Sequence, residues 1–133
     1  MKEFELEASA KTPKINFNAQ TGKMLIEGRA ISEPEDGFWE PVLKWFYAYA
    51  TTPYSMTQIT FNLDYFNISS SKQILFLLYK LNEIHESGLE TEVIWKFSND
   101  DFEMKEAGLD FSCVVNVPFQ FEMIVTEKLE QYA

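Results

Sequence analysis

Apolar and polar positions alternate from the start of the chain. Phe4, Leu6 and Ala8 stand among charged neighbours, the pattern of a first strand or an extended arm. Ile15 and Phe17 alternate with Lys14, Asn16 and Asn18, and Met24, Ile26 and Gly28 resume the period of two beyond Thr21-Gly22. This spacing predicts a β-hairpin, residues 14–18 with 23–28. Ser32-Glu33-Pro34-Glu35-Asp36-Gly37 is a turn and helix-start cluster. From Phe38 to Ala50 the period turns helical, with Val42, Trp45, Phe46 and Tyr49 on one face. Pro41 has no N–H to donate, so it belongs in the first turn of that helix, and Thr51-Thr52-Pro53 ends it.

Met56 to Tyr65 reads as a strand with Ile59, Phe61 and Leu63 facing one way. Asn67 to Ser71 is a polar break. Lys72 to Ser87 is the strongest helical stretch, with Ile74, Leu75, Leu78, Leu81 and Ile84 at helical spacing and Gly88 as its stop. Val93 to Phe97 is another strand. Asp100 to about Leu109 is acidic and helical, with Gly108 placed to end it, and Pro118 to Val125 closes the pattern with a strand of Phe119, Phe121 and Ile124. The order ββ-α-β-α-β-α-β requires crossover connections. It implies an α/β domain, a mixed, mainly parallel sheet of about five to six strands with three helices packed on it. No linker, repeat or low-complexity segment divides the chain, so residues 1–133 are expected to form a single domain.

Composition narrows the function. Apolar residues are 46% of the 133, enough for one core, and aromatics are 16%, so that core should be rich in Phe, Tyr and Trp. A formal net charge of −10 opposes binding to nucleic acid or to an anionic membrane, and favours partners with basic patches. Met1 to Ala10 lacks a basic region followed by an apolar stretch, and no run approaches the roughly 18 apolar residues of a membrane span. The expectation is a cytoplasmic protein with no signal peptide and no membrane insertion.

Catalytic side chains are scarce. Cys113 is the one cysteine and has neither a disulfide partner nor companions for a zinc site. Its neighbours Phe111, Val114 and Val115 suggest a buried, inert thiol. His85 is the one histidine, and near the end of the long helix it reads as a solvated group facing the helix C-terminus. The five glycines are scattered and form no phosphate loop. Glu33-Pro34-Glu35-Asp36 and Asn99-Asp100-Asp101 could gather a divalent cation, but such runs more often cap helices and solvate loops. The chain reads as a protein-binding protein that is not an enzyme and needs no cofactor. A small acidic metal-binding or enzymatic domain is the contrasting alternative.

The most informative segment joins the end of a core strand to the start of the strongest helix: Asp64-Tyr65-Phe66-Asn67-Ile68-Ser69-Ser70-Ser71-Lys72-Gln73. Ser70 with Gln73 fits a capping box, in which case Ser70→Ala should cost about 1 kcal/mol. A helix start also offers free N–H groups and the positive end of the dipole. A phosphate of about −2 charge would be accommodated there, and would alter the charge and shape of the exposed loop. If Ser70 is the cap, Ser69 lies just outside the helix and is the freer hydroxyl. Ser69 and then Ser70 are the candidate phosphoacceptors. Asp64, Asn67, Ile68, Ser71 and Lys72 form the candidate partner-binding loop, with Lys72 placed to offset added charge.

Several segments resemble the SiaC family of bacterial regulatory phosphoproteins. They are Lys11-Thr12-Pro13-Lys14-Ile15, Gly28-Arg29-Ala30-Ile31-Ser32-Glu33-Pro34-Glu35-Asp36, Trp39-Glu40-Pro41-Val42-Leu43-Lys44-Trp45 and Asp64 to Lys72. The likeness continues through Leu81 to Gly88, Glu106 to Phe111 and Val117-Pro118-Phe119. The resemblance implies a fold like the STAS domain of anti-sigma-factor antagonists. It also implies phosphorylation of a hydroxyl at the start of the helix after a core strand, by a partner kinase and reversed by a PP2C-type phosphatase. The unphosphorylated form would bind and activate an effector such as a diguanylate cyclase, in cyclic-di-GMP signalling and biofilm formation. One departure matters: the family acceptor follows directly after the Asn, where this chain has Ile68. Either Ser69 takes over, or the protein is a constitutive, unphosphorylated adaptor.

The metal-binding alternative makes its own prediction. Titration with Mg²⁺, Ca²⁺ or Zn²⁺ is expected to leave the melting temperature unchanged, and a saturable rise with any of them would revive that reading.

Overall fold

The computed structural model describes residues 1–125. Its elements are β1 (Phe4–Leu6), β2 (Lys14–Asn18), β3 (Lys23–Ala30), a 3₁₀ turn (Pro34–Asp36), α1 (Trp39–Tyr49), β4 (Met56–Phe66), α2 (Ile68–Glu86), β5 (Glu90–Ser98), α3 (Phe102–Ser112) and β6 (Phe119–Ile124). The six strands lie side by side in chain order. β1, β2 and β3 pair antiparallel, joined by the loop of residues 7–13 and the turn of residues 19–22 with no helix between them. β3, β4, β5 and β6 pair parallel, because a helix intervenes at each step. This is the mixed, mainly parallel α/β sheet with three helices that the alternation implies.

Register explains where the core sits. Leu6, Ile15, Ile26, Phe61, Trp95 and Phe121 stand opposite one another across all six strands. A second row runs Phe4, Phe17, Met24, Ile59, Val93 and Phe119. Side chains alternate between faces with period two, so both rows share one face. The helices bury their apolar stripes on that face: Trp39, Val42, Phe46 and Tyr49 from α1, and Ile74, Leu77, Leu78, Leu81 and Ile84 from α2. The other face carries Glu5, Asn16, Leu25, Thr60, Ile94 and Gln120 in one row, and no described helix covers it. There Glu92 accepts hydrogen bonds from Gln58 (2.8 Å) and Gln120 (2.9 Å), a polar ladder suited to water.

Trp95 anchors the third helix. It is fully buried, and its indole N–H donates to the Met104 carbonyl at 2.8 Å. Phe61, Phe66 and Phe111 pack around its ring. Gly108 is not the helix stop expected of it, since α3 runs on to Ser112. Its role is close approach: a Cβ there would overlap the Trp95 indole.

Other expectations also shift. Residues 4–8 form a strand only over Phe4–Leu6, where Phe4 stacks on Trp45 at 6.2 Å between ring centroids. Trp45, expected in the buried stripe, is half-buried at that margin and donates to the Lys2 carbonyl at 3.1 Å. On α2, Leu77 is buried and Leu75 only half-buried, while Gly88 follows the helix end with φ of 97° as a stop should. Cys113 is exposed rather than buried, because α3 has just ended and its apolar neighbours in sequence do not enclose it. His85 is half-buried instead of solvated, with Nδ1 2.9 Å from the Thr91 hydroxyl.

Gly108→Ala separates the two roles of that glycine. Helix propensity alone favours Ala by about 1 kcal/mol. Overlap with Trp95 reverses the sign, and a loss of about 1–3 kcal/mol is expected in urea unfolding. A stabilised variant would sink the close-approach account.

Candidate functional site

The candidate loop lies where the parallel strands end. β4 finishes at Phe66 and α2 starts at Ile68, with Asn67 as the single residue between them. Asn67 is in extended conformation (φ −87°, ψ 175°), as an N-cap must be. Its Oδ1 accepts the Ser70 N–H at 2.9 Å, and its own carbonyl accepts the Ser71 N–H at 2.9 Å. On its other side, the Asn67 N–H donates to the Ala30 carbonyl at 3.0 Å and Nδ2 donates to the Ser32 carbonyl at 3.2 Å. One side chain therefore caps α2 and ties it to the end of β3.

This corrects the expected cap. Ser70 is not the capping residue, and α2 begins four residues before the expected Lys72. Asn67 supplies the acceptor three residues earlier, so the polar stretch 68–71 becomes the first turn of the helix. Ser70 is fully buried, and its hydroxyl accepts the Trp39 indole N–H at 3.2 Å, linking α2 to α1. Ser71 turns its hydroxyl back onto the Ile68 carbonyl at 2.7 Å. Ile68 is 90% exposed.

Ser69 is different from both neighbouring serines. It is half-buried and lines an open groove of about 320 Å³ between the first turn of α2 and the segment entering α1. Phe38, Trp39 and Leu43 form the apolar part of that groove, and Glu33 and Glu40 supply carboxylates. Lys72 is exposed on the same first turns of α2, and Asp64 and Tyr65 are exposed at the end of β4, apart from the groove lining, while Phe66 points inward against Trp95 and Phe111. The loop residues singled out in the sequence thus gather at one end of the sheet.

Trp39, Ser32 and the 33–37 turn escaped the sequence reading as parts of this site. Ser32 is buried beside Asn67, with its hydroxyl unpaired in the structure. The helix-start pattern at residues 32–37 was legible, but its apposition to Ser69 lies more than 30 residues away along the chain. The acidic runs act as turn and cap elements: Asp36 accepts the Glu33 N–H at 2.9 Å, and Asp101 accepts the Met104 N–H at 3.1 Å. Among the described residues, no three or more His, Cys, Asp or Glu side chains gather as a metal site. Likewise, none of the described helices is long and apolar enough to cross a membrane.

Residues 6–124 match the SiaC family regulatory phosphoprotein. The apo-SiaC crystal structure from Pseudomonas aeruginosa superposes with a TM-score of 0.83 at 22% identity, covering 92% of this chain and 99% of that one. The crystal structure of diguanylate cyclase SiaD in complex with its activator SiaC, from the same organism, aligns with a TM-score of 0.85 at 21% identity, covering 91% and 99%. An uncharacterized protein of Pseudomonas aeruginosa (strain UCBPP-PA14) is 21% identical over 122 residues, 92% of this chain and 97% of its own.

The cap assignment is checked by unfolding. Asn67→Ala is expected to cost about 1–2 kcal/mol. Ser70→Ala should cost about 1–3 kcal/mol by leaving the buried Trp39 N–H without an acceptor, with a change in Trp fluorescence. Ile68→Ser should stay within about 0.5 kcal/mol, since that side chain is solvated. A neutral Asn67→Ala would contradict the cap.

Proposed function

The chain belongs to the SiaC family of regulatory phosphoproteins, and we propose that it works as a phosphorylation-controlled protein-binding switch and not as an enzyme. One observation carries the choice of site. Of the serines in the first turn of α2, Ser69 alone lines an open groove, whereas Ser70 is sealed beneath Trp39. A kinase can reach the first hydroxyl without opening the domain. Phosphorylation of Ser70 would require breaking the α1–α2 contact first. Ser69 is therefore the favoured acceptor and Ser70 the second.

The rest follows from charge. A phosphoryl group of about −2 at Ser69 would stand at the positive end of α2, which favours it. It would also stand beside Glu33 and Glu40, which oppose it. The helix holds its place through Asn67 and Trp39, so the strain falls on the groove and the exposed loop. Asp64, Asn67, Ile68, Ser71 and Lys72 make up the proposed partner-binding surface, and its α2 part, from Ile68 to Lys72, is where charge and shape would change. The partners proposed are a protein kinase, a PP2C-type phosphatase and an effector of the diguanylate cyclase type, in a cytoplasmic cyclic-di-GMP circuit governing biofilm formation. The relative SiaC, which is the activator of SiaD, supports that choice of effector.

A second reading rests on Ile68. Where the family places its hydroxyl directly after Asn, this chain carries an apolar residue pointing into solvent. A constitutive adaptor with the same fold would have this feature.

Peptide mass spectrometry on protein purified from its own host is expected to find one phosphate on Ser69. Unmodified protein under several growth conditions would favour the adaptor. Ser69→Asp should keep its stability within about 0.5 kcal/mol and lose effector binding. In the adaptor case, the host kinase would modify Ile68→Thr and not the natural chain.

A further inference from the structure

Around the end of β4 and the first turns of α2 and α3 stand three strongly exposed apolar side chains: Ile68 (90%), Phe102 (70%) and Tyr65 (55%). Structured backbone presents each of them. Tyr65 belongs to β4 and pairs with Arg29, Ile68 follows the Asn67 cap, and Phe102 follows the Asp101 cap of α3. Between the end of β4 and the first turn of α3 lies a hollow of about 210 Å³. Buried Met104, half-buried Phe66 and exposed Tyr65 line it. Asp64 from β4 and Glu103 from α3 are exposed at its rim, and neither has a cation partner among the described residues. Asp101 also lines it, but its Oδ1 already accepts the Met104 N–H.

The chemistry selects the occupant. An anion would be repelled by the carboxylates. A purely apolar side chain would strip water from them without replacing it. A bare metal ion lacks a set of converging ligands among the described residues. A long cationic side chain meets both demands, with its stem on Phe66 and Met104 and its head between the carboxylates. Arginine fits better than lysine: its planar fork can bridge acceptors on two separate elements and stack on Tyr65. The net charge of −10 draws such a partner in.

We infer that this hollow receives an arginine side chain of the effector protein, with Ile68 and Phe102 as apolar shoulders for the residues flanking it. The inference rests on the reading that the effector docks at the start of α2. It adds the α3 side of that surface, away from the Ser69 groove. The arginine contact itself is therefore expected to be indifferent to the charge at Ser69.

The test uses amide NMR spectra of the full chain and the peptide acetyl-Leu-Arg-Leu-amide, with citrulline and lysine versions as controls. Saturable shifts are expected at Tyr65 and at residues 101–104, about tenfold weaker binding in Glu103→Gln, and no change in Glu27→Gln on the open sheet face. Equal binding of the citrulline peptide, shifts spread over the open face, or no saturable shift would overturn the site. Equal binding of the lysine peptide would overturn the assignment to arginine. Ser69→Asp should bind the peptide as the natural chain does. Loss of peptide binding on the unphosphorylated chain would refute the hollow alone, whereas absence of phosphate in the host protein would refute only the switch.

Discussion

Asn67 is the constraint on which the site depends. It is the single residue between the longest strand and the longest helix, and both ends of its side-chain amide are engaged. The acceptor oxygen starts α2 and the donor nitrogen holds the residues leaving β3. A helix N-terminus needs its free N–H groups satisfied, and a chain leaving a sheet needs its direction set. One short amide meets both needs. The geometry of Ile68, Ser69, Ser70 and Ser71 follows from where that cap lies, since each position in the first turn points a different way.

The three serines consequently have three fates. Ser70 faces the core and receives the Trp39 N–H, Ser71 bonds back to its own helix, and Ser69 meets the groove. Identical side chains are thus divided by helical rotation into a structural link, a local turn element and a groove-lining residue. Ile68 lies on the solvent side of the same turn, where an apolar residue adds contact area but no stability to the fold.

The sheet supports this arrangement by being one-sided. Two full rows of apolar residues face the helices, and the opposite rows are largely polar. Trp95 sits on the covered face of β5, one strand in from the edge, and α3 can reach it only because Gly108 has no side chain. That contact places the first turn of α3 beside the end of β4. The carboxylates of both elements then share one edge with the loop after β4, so that edge is made from neighbours distant in sequence.

Much of the fold was legible in the residues. The period-two and helical patterns located the strands and helices to within a few residues, because apolar spacing reports directly which face an element buries. The hydroxyl-rich helix start was legible too. What tertiary structure alone decided was which competing local option won. Both Asn67 and Ser70 are good caps; the Ala30 and Ser32 carbonyls engage Asn67, and the Trp39 indole engages Ser70, so the cap moves three residues upstream. Gly108 reads locally as a stop, but the bulk of Trp95, more than ten residues away in the chain, makes it a contact point inside a continuing helix. Cys113 has apolar neighbours in sequence yet is exposed, because burial depends on what packs across from a residue and not on what precedes or follows it. Local pattern records each segment's preference, and the partner that satisfies or overrides it is brought near only by folding.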